Sequence, residues 1–214
     1  MCRLALASLQ QITGCSKKEN QMINKKILLP VFILVALVQL FVPAKMILDR
    51  EDILDKGKEY KFKTEPIDPN DPFRGKYITL RYEDDMIEIQ NEADWIRGEI
   101  IYVFLTTDNE GFAKIQSVSK ENPTNNQDFL KTKVSYVTGN GANKLTIDYP
   151  FDRYYMEESK AYDAELTYRE SQLDTSQIAY ALVSINDGEA VLKDVLINGV
   201  SIREIVIKER ENQK

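Results

Sequence analysis

"ILLPVFILVALVQLFVPA", residues 27–44, runs for 18 residues without a charge. As a helix rising 1.5 Å per residue it covers roughly 27 Å, close to the hydrocarbon core of a bilayer. Pro30 falls in the first turn, where proline is tolerated, and Gln39 is the only strongly polar side chain. The run is apolar all round rather than on one stripe, which speaks against a buried core helix. Its length favours a retained signal-anchor. A cleaved signal peptide is the alternative, since Val42-Pro-Ala44 offers small residues at a cleavage point. Lys25 and Lys26 precede the run, whereas Lys45 and Arg50 beyond it are mixed with Asp49, Glu51 and Asp52. This Lys/Arg bias places the N-terminus inside and the following body outside.

Working outward to the N-terminus, residues 1–26 form a short cytoplasmic tail in this reading. "MCRLALASLQQITGC" resembles a weak lipoprotein signal, but Gln10 and Gln11 interrupt its apolar stretch. Met22 opens "MINKKILLP" in the manner of a bacterial signal-anchor, so residues 1–21 also read as an over-extended gene start. Residues 1–44 hold five basic side chains and one acidic one, net +4; residues 45–214 hold 23 and 33, net −10. An acidic body repels polyphosphate, so no nucleic-acid partner is expected. The 214 residues include no histidine, which removes Ser-His-Asp and Cys-His catalysis and His-ligated metals. Cys2 and Cys15 both precede the apolar run, leaving residues 45–214 without disulfide, thiolate nucleophile or Cys-ligated metal. No cofactor is expected.

Working outward in the other direction, "KMILDREDILDKG" suggests a short helix leaving the membrane and ending near Gly57. Strand signals then dominate. "YKFKT" alternates. "KYITLRYE" sets Tyr77, Thr79 and Arg81 on one face and Ile78, Leu80 and Tyr82 on the other. "EIIYVFLTT" is apolar throughout, as befits a central strand, and "GFAKIQSVS" returns after the turn "DNEG". "GNGA" and "NDGE" mark two further hairpins. "IREIVIK" reads as a closing strand, residues 156–173 as one helix, and "SKENPTNNQD" as a long polar loop dividing two sub-sheets. The expected fold is β-rich α+β: a single N-terminal transmembrane helix, then a mainly antiparallel β extracytoplasmic domain over residues 45–214.

The stretch "DPNDPFRGKYITLRYE", residues 68–83, concentrates the candidate site residues. Pro66, Pro69 and Pro72 stiffen the approach to the strand. Asp68 and Asp71 can accept backbone N–H groups in Asx-turns, and Gly75 suits a left-handed or closely packed position. Arg74 can hold a carboxylate bidentately. Two uses fit: an Arg–Asp clamp that locks the turn to the sheet, or an anion or peptide-carboxylate site built from Arg74, Arg81 and backbone N–H groups beside Gly75. A calcium loop from Asp68, Asn70 and Asp71 lacks the glycine and terminal glutamate of an EF-hand, so no metal site is expected.

With "DPNDP" ahead of it, "RGKYITLRY" resembles the motif of the GDYXXLXY protein family: Gly75, Tyr77, Leu80 and Tyr82 match, and Lys76 stands where the family has Asp. "KKILLPVFILVALVQLFVPAKMI", "DRYYMEES" with Tyr154, Tyr155 and Glu157, and "DGEAVLKDVLINGV" extend the resemblance over most of the chain. It implies a bacterial protein of the inner (cytoplasmic) membrane, single-pass, with its body in the periplasm or outside and a polytopic membrane protein as partner. It names no ligand. If the motif's acid were catalytic, Lys76 would leave this protein impaired.

Two functional classes follow. One is a binding or scaffold module without an active site, more in keeping with the missing histidine and cysteine. The other is a membrane-anchored hydrolase of the Ser-Lys or carboxylate type. For the latter, Ser119-Lys120 and Ser159-Lys160 are adjacent pairs, and neighbouring side chains on a strand face opposite ways. A carboxylate pair such as Asp68 and Asp71 with Glu157 or Glu158 could do acid–base work. Tyr77, Tyr82, Tyr149, Tyr154, Tyr155 and Tyr162 could form an aromatic patch, although tyrosine is also a favoured strand residue.

Overall fold

The computed structural model describes residues 25–65, 77–123, 128–139, 143–174 and 176–212. It divides into two units, residues 1–46 and 47–214.

The apolar run lies in helix α1, Lys25–Lys56, 32 residues long and containing both Pro30 and Pro43. It is long and apolar enough to cross a membrane, and none of its apolar window is buried. The short helix expected after residue 44 is present as the continuation of α1, which passes through Pro43. A proline removes one N–H and crowds one carbonyl, and here the neighbouring turns carry the helix across. Its end falls at Gly57 as expected, where Gly57 N–H donates to the Ile53 carbonyl. Ser184 Oγ donates to the same carbonyl at 2.6 Å, and Arg50 reaches the Ala190 carbonyl. The last turns of α1 are thereby tied to the β body.

That body is mainly antiparallel. Strands β1 (Lys58–Lys63), β9 (Ala179–Asn186), β10 (Glu189–Ile197) and β11 (Val200–Ser201) form one sheet in the order β1-β9-β10-β11. Strands β3 (Met86–Glu88), β7 (Lys144–Asp148), β6 (Phe129–Thr138), β4 (Ile100–Thr107) and β5 (Ala113–Ser119) form another in that order. Strands β2 (Tyr77–Thr79) and β8 (Arg153–Tyr155) make a two-stranded ribbon. Inward residues of all three, among them Phe62, Ile78, Val103, Leu130, Leu145 and Val183, share one core.

The three expected hairpins are present, and their chemistry is local. Asp187 and Gly188 both have positive φ between β9 and β10, as a type I′ turn requires. The Asp108 carboxylate accepts from the N–H groups of Glu110 and Phe112 in the β4–β5 turn. Thr138 pairs with Lys144 across the β6–β7 connection. A fourth turn was not anticipated: Asn198 and Gly199, also at positive φ, fold β11 back onto β10.

Helix α2, Glu158–Leu173, forms where a helix was expected. Two expectations fail. Residues 202–208 are not a strand but the start of helix α3, Ile202–Asn212. Ser201-x-x-Glu204 is a capping-box spacing; Ser201 Oγ accepts from Arg203 N–H, and Ile202 and Val206, four apart, are fully buried. The loop around residues 119–128 does not divide two sub-sheets. It joins β5 to β6, which flank β4 within one sheet, because the apolar β4 pairs on both sides.

Candidate functional site

The second half of the motif stretch is a joint between strands. Tyr77, Ile78 and Thr79 pair with Tyr155, Tyr154 and Arg153, and Leu80 N–H donates to the Asp152 carbonyl at 2.7 Å. The chain then changes partner. Thr64 bridges to Tyr82, Glu65 N–H donates to the Arg81 carbonyl, and Glu83 N–H donates to the Lys63 carbonyl. One short stretch thus ties the end of β1 to β8.

Its alternation divides the motif into two kinds of residue. Ile78, Leu80 and Tyr82 are buried. Tyr82 belongs to a four-ring cluster with Phe62, Tyr149 and Phe151, in which every pair of ring centroids lies 5.0–5.7 Å apart. The Tyr82 hydroxyl donates to the Phe151 carbonyl and the Tyr149 hydroxyl to the Asp84 carbonyl, each at 2.7 Å. Burial holds both phenols well above their ordinary pKa, so they are neutral donors.

On the opposite face the ribbon is open. The rings of Tyr77 and Tyr155 lie 5.4 Å apart, and the Arg153 guanidinium sits 5.1 Å from the Tyr77 ring centroid. Tyr155 is 61% exposed. The Tyr155 side chain, then Asp152, favours the charged form of Arg153, and Asp152 lies 3.7 Å from Arg153 Nε. Two aromatic faces and a cation therefore stand together on the surface. Arg81, also exposed, acts at longer range on Asp85. Burial and then Glu65 raise the Asp85 carboxyl, and Arg81 partly opposes them.

The remaining candidates separate. Tyr154 is buried; its hydroxyl donates to Asp194 Oδ1 at 2.7 Å, with Arg203 over its ring. Burial, ahead of the Asp194 contact, raises its pKa. Glu157 precedes α2, accepting from Ser159 Oγ at 2.9 Å and pairing with Lys160 at 2.7 Å, and Lys160 is the main cause of its lowered pKa. Tyr162 is exposed on α2. Asp68, Asp71, Arg74 and Gly75 lie outside the described residues, and with them the Arg–Asp clamp, the anion site beside Gly75 and the calcium-loop alternative.

Neither adjacent Ser-Lys pair joins hydroxyl to ammonium. Ser119 Oγ donates to the Glu121 carbonyl, and Lys120 is held by Glu99 and the Asp94 carbonyl. Ser159 and Lys160 both bond Glu157. A Ser-x-x-Lys spacing, expected to be absent, does occur, from Ser117 to Lys120; the same Glu99 contact engages its lysine. Among the described residues no three Cys, Asp or Glu side chains gather as a cation site. Arg153 was missed as a surface candidate. Its signal was available: in "DRYY" it stands two residues before Tyr155, and alternation puts both on one face.

The family model described as GDYXXLXY protein matches residues 39–195. The chain belongs to this family. The match takes in the second half of α1, the motif joint and the β8 ribbon, ending within β10. In this GDYXXLXY protein the last two named motif positions, Leu80 and Tyr82, are core residues, and only Tyr77 of the described three turns toward the surface. No curated protein and no solved structure matches the chain.

Proposed function

We propose that this GDYXXLXY protein is a binding or scaffold module, retained in the bacterial inner membrane by α1, with its body in the periplasm or outside the cell and a polytopic membrane protein as its partner. The observation that carries this reading is the apolar window of α1, which is long enough to span and has no buried residue. An apolar face that large is left open only where lipid or another helix covers it. Lys25 and Lys26 at its start support the N-terminus-inside orientation.

The motif supports binding rather than chemistry. Leu80 and Tyr82 build the core joint, while Tyr77, Arg153 and Tyr155 offer two aromatic rings and one cation on the open face of the ribbon. Tyr and Arg supply contact area and fixed donor geometry at protein interfaces.

The test has two parts. Protease added to intact spheroplasts should digest the body; full protection would reverse the topology. Crosslinking of the membrane-embedded protein followed by pull-down should recover a polytopic membrane protein. Recovery of none, together with a hydrolytic activity of the purified chain, would replace the scaffold reading with the hydrolase one.

A further inference from the structure

We propose that the outward face of strands β4 and β6 is a lipid-docking surface, which lies against anionic phospholipid headgroups beside the anchor. The proposal rests on the membrane-anchor reading above and goes beyond it.

The face follows from alternation. Ile101, Val103, Leu130, Thr132 and Val134 are buried, so the residues between them point outward. Across the two strands these outward residues stand in register: Phe104 beside Phe129, Tyr102 beside Lys131 and Ile100 beside Lys133. The Tyr102 and Phe129 rings meet edge to face, 5.7 Å apart. Ile100 and both lysines are exposed. Aromatic rings beside lysines suit the level of lipid headgroups: rings and lysine stems take the apolar side, and the ammonium groups take the phosphates.

Charge sets this face apart. Residues 45–214 carry net −10. Elsewhere on the body Lys58, Lys63, Lys120, Lys160 and Lys193 each pair with a carboxylate. Among the described residues Lys131 and Lys133 pair with none. Asp148 stands across from Lys133 on β7 without closing an ion pair, and Asp128, just before β6, is taken by Lys58 and Tyr60. An anionic surface attracts this face and repels the acidic remainder, so the charge pattern orients the body as well as holding it.

The chain brings the face to the bilayer. Arg50 lies six residues beyond Ala44, the end of the uncharged run, a helical rise of about 9 Å. The headgroup zone is itself roughly 5–8 Å deep. Arg50 donates to the Ala190 carbonyl at 3.0 Å. Two residues earlier, the Gly188 carbonyl accepts from Lys131 N–H at 2.9 Å. Lys58, the second residue after α1, holds Asp128 at 2.6 Å. The start of β6 is thus tied to the base of the anchor along two routes. A tether this short gives the headgroups a high effective concentration at the face, which favours lipid over a free acidic protein as the occupant.

The experiment uses the full chain reconstituted in vesicles, with Cys2 and Cys15 replaced by serine and a fluorophore on one introduced cysteine. Ser117→Cys puts the probe beside Phe104 on the face, and Tyr162→Cys puts it on the exposed side of α2. The quencher is a lipid with a nitroxide headgroup. In vesicles of phosphatidylcholine with phosphatidylglycerol, the probe at 117 should be quenched and the probe at 162 should not. Quenching at 117 should fall in phosphatidylcholine alone and at high salt. Lys131→Gln and Lys133→Gln should each lower the ratio of docked to undocked chains roughly fivefold, the scale of one basic side chain at an anionic surface. Lys208→Gln on α3 should leave it unchanged. Equal quenching at the two positions, no dependence on phosphatidylglycerol, or no effect of the β6 lysines would overturn the proposal. So would loss of a crosslinked acidic protein in the lysine variants with quenching intact. Release of the chain from the vesicles by alkaline carbonate would instead remove the anchor reading, an outcome separate from loss of quenching in a membrane-integrated chain.

Discussion

The Tyr82 hydroxyl donates to the Phe151 carbonyl at 2.7 Å, joining two positions 69 residues apart inside the four-ring cluster. Removing that hydroxyl leaves a carbonyl in the cluster without its donor. Tyr82→Phe should therefore lower the stability of residues 47–214 by about 1–3 kcal/mol, the cost of stranding a buried polar group. Tyr168 offers the contrast. Its buried hydroxyl has no hydrogen-bond partner among the described residues. Burial pushes its pKa up to about 12, and the neighbouring Thr64 side chain acts in the opposite sense. Tyr168→Phe should be neutral or stabilising by up to about 1 kcal/mol. Urea midpoints of the two variants should move in opposite directions or differ by at least the Tyr82 loss. Equal losses would show that ring packing, not the hydroxyls, sets both values.

Gly57 closes α1 under a different constraint. A Cβ there would stand 2.4 Å from the Ile53 carbonyl oxygen, 2.4 Å from Ser184 Oγ and 3.0 Å from the Ile185 carbonyl oxygen. Two of the three atoms are backbone and cannot swing aside. Gly57→Ala should cost about 1–3 kcal/mol, the usual range for overpacking. Adding Ser184→Ala should not restore it, because the carbonyl clash remains and the Ser184–Ile53 bond is lost. Denaturation of the single and double variants checks this, and a wild-type midpoint for Gly57→Ala would refute the close approach.

The parts of this fold legible in the sequence are those whose physics is local. Alternation from Tyr77 to Tyr82 sorted buried from exposed side chains because a strand's side chains have period two. Asp187-Gly188 announced its hairpin because a type I′ turn demands positive φ at both positions. Asn198-Gly199 obeys the same rule and could have been read. The helix at Ile202 was hidden because "IREIVIK" satisfies strand and helix periods together, and only the Ser201-x-x-Glu204 cap and the charged tail distinguish them. The four-ring cluster was not legible. Phe62, Tyr82, Tyr149 and Phe151 come from three separate segments, and nothing local says that these segments meet. The site was half legible: alternation predicts that Tyr77 faces outward, but its register opposite Tyr155 is a tertiary fact.

Asp85 gives a pH test. Burial first, and Glu65 second, raise its folded pKa above the ordinary 3.8. The unfolded carboxyl thus loses its proton at lower pH than the folded one. Stability on this account is greatest below the unfolded pKa and declines as pH rises through the folded value. Asp85→Asn removes the titration, so it should be slightly more stable than wild type at pH 7. The gain should be less than about 1 kcal/mol for a side chain that is only partly buried. The difference should shrink as pH falls toward 4. Urea melts across that window check the sign, and a loss of stability at pH 7 would mean that Asp85 makes a compensating contact in its charged form.

Tyr77, Arg153 and Tyr155 should behave as a surface rather than as a foundation. Their mutual contacts are a ring pair and a guanidinium over an aromatic face, and an exposed cation–π contact is worth about 0.5–1 kcal/mol. Tyr155→Ala and Arg153→Ala should therefore each lower stability by no more than about 1 kcal/mol. Capture of a membrane partner should fall much further, because aromatic and arginine side chains at the centre of an interface carry a large share of its binding energy. A photo-crosslinking side chain at position 155 should trap that partner, and the same group at Glu110, in the β4–β5 turn, should not. If Tyr155→Ala unfolds the body, the residue belongs to the framework. If it leaves both stability and capture unchanged, the partner binds elsewhere and the ribbon's open face is only solvated surface.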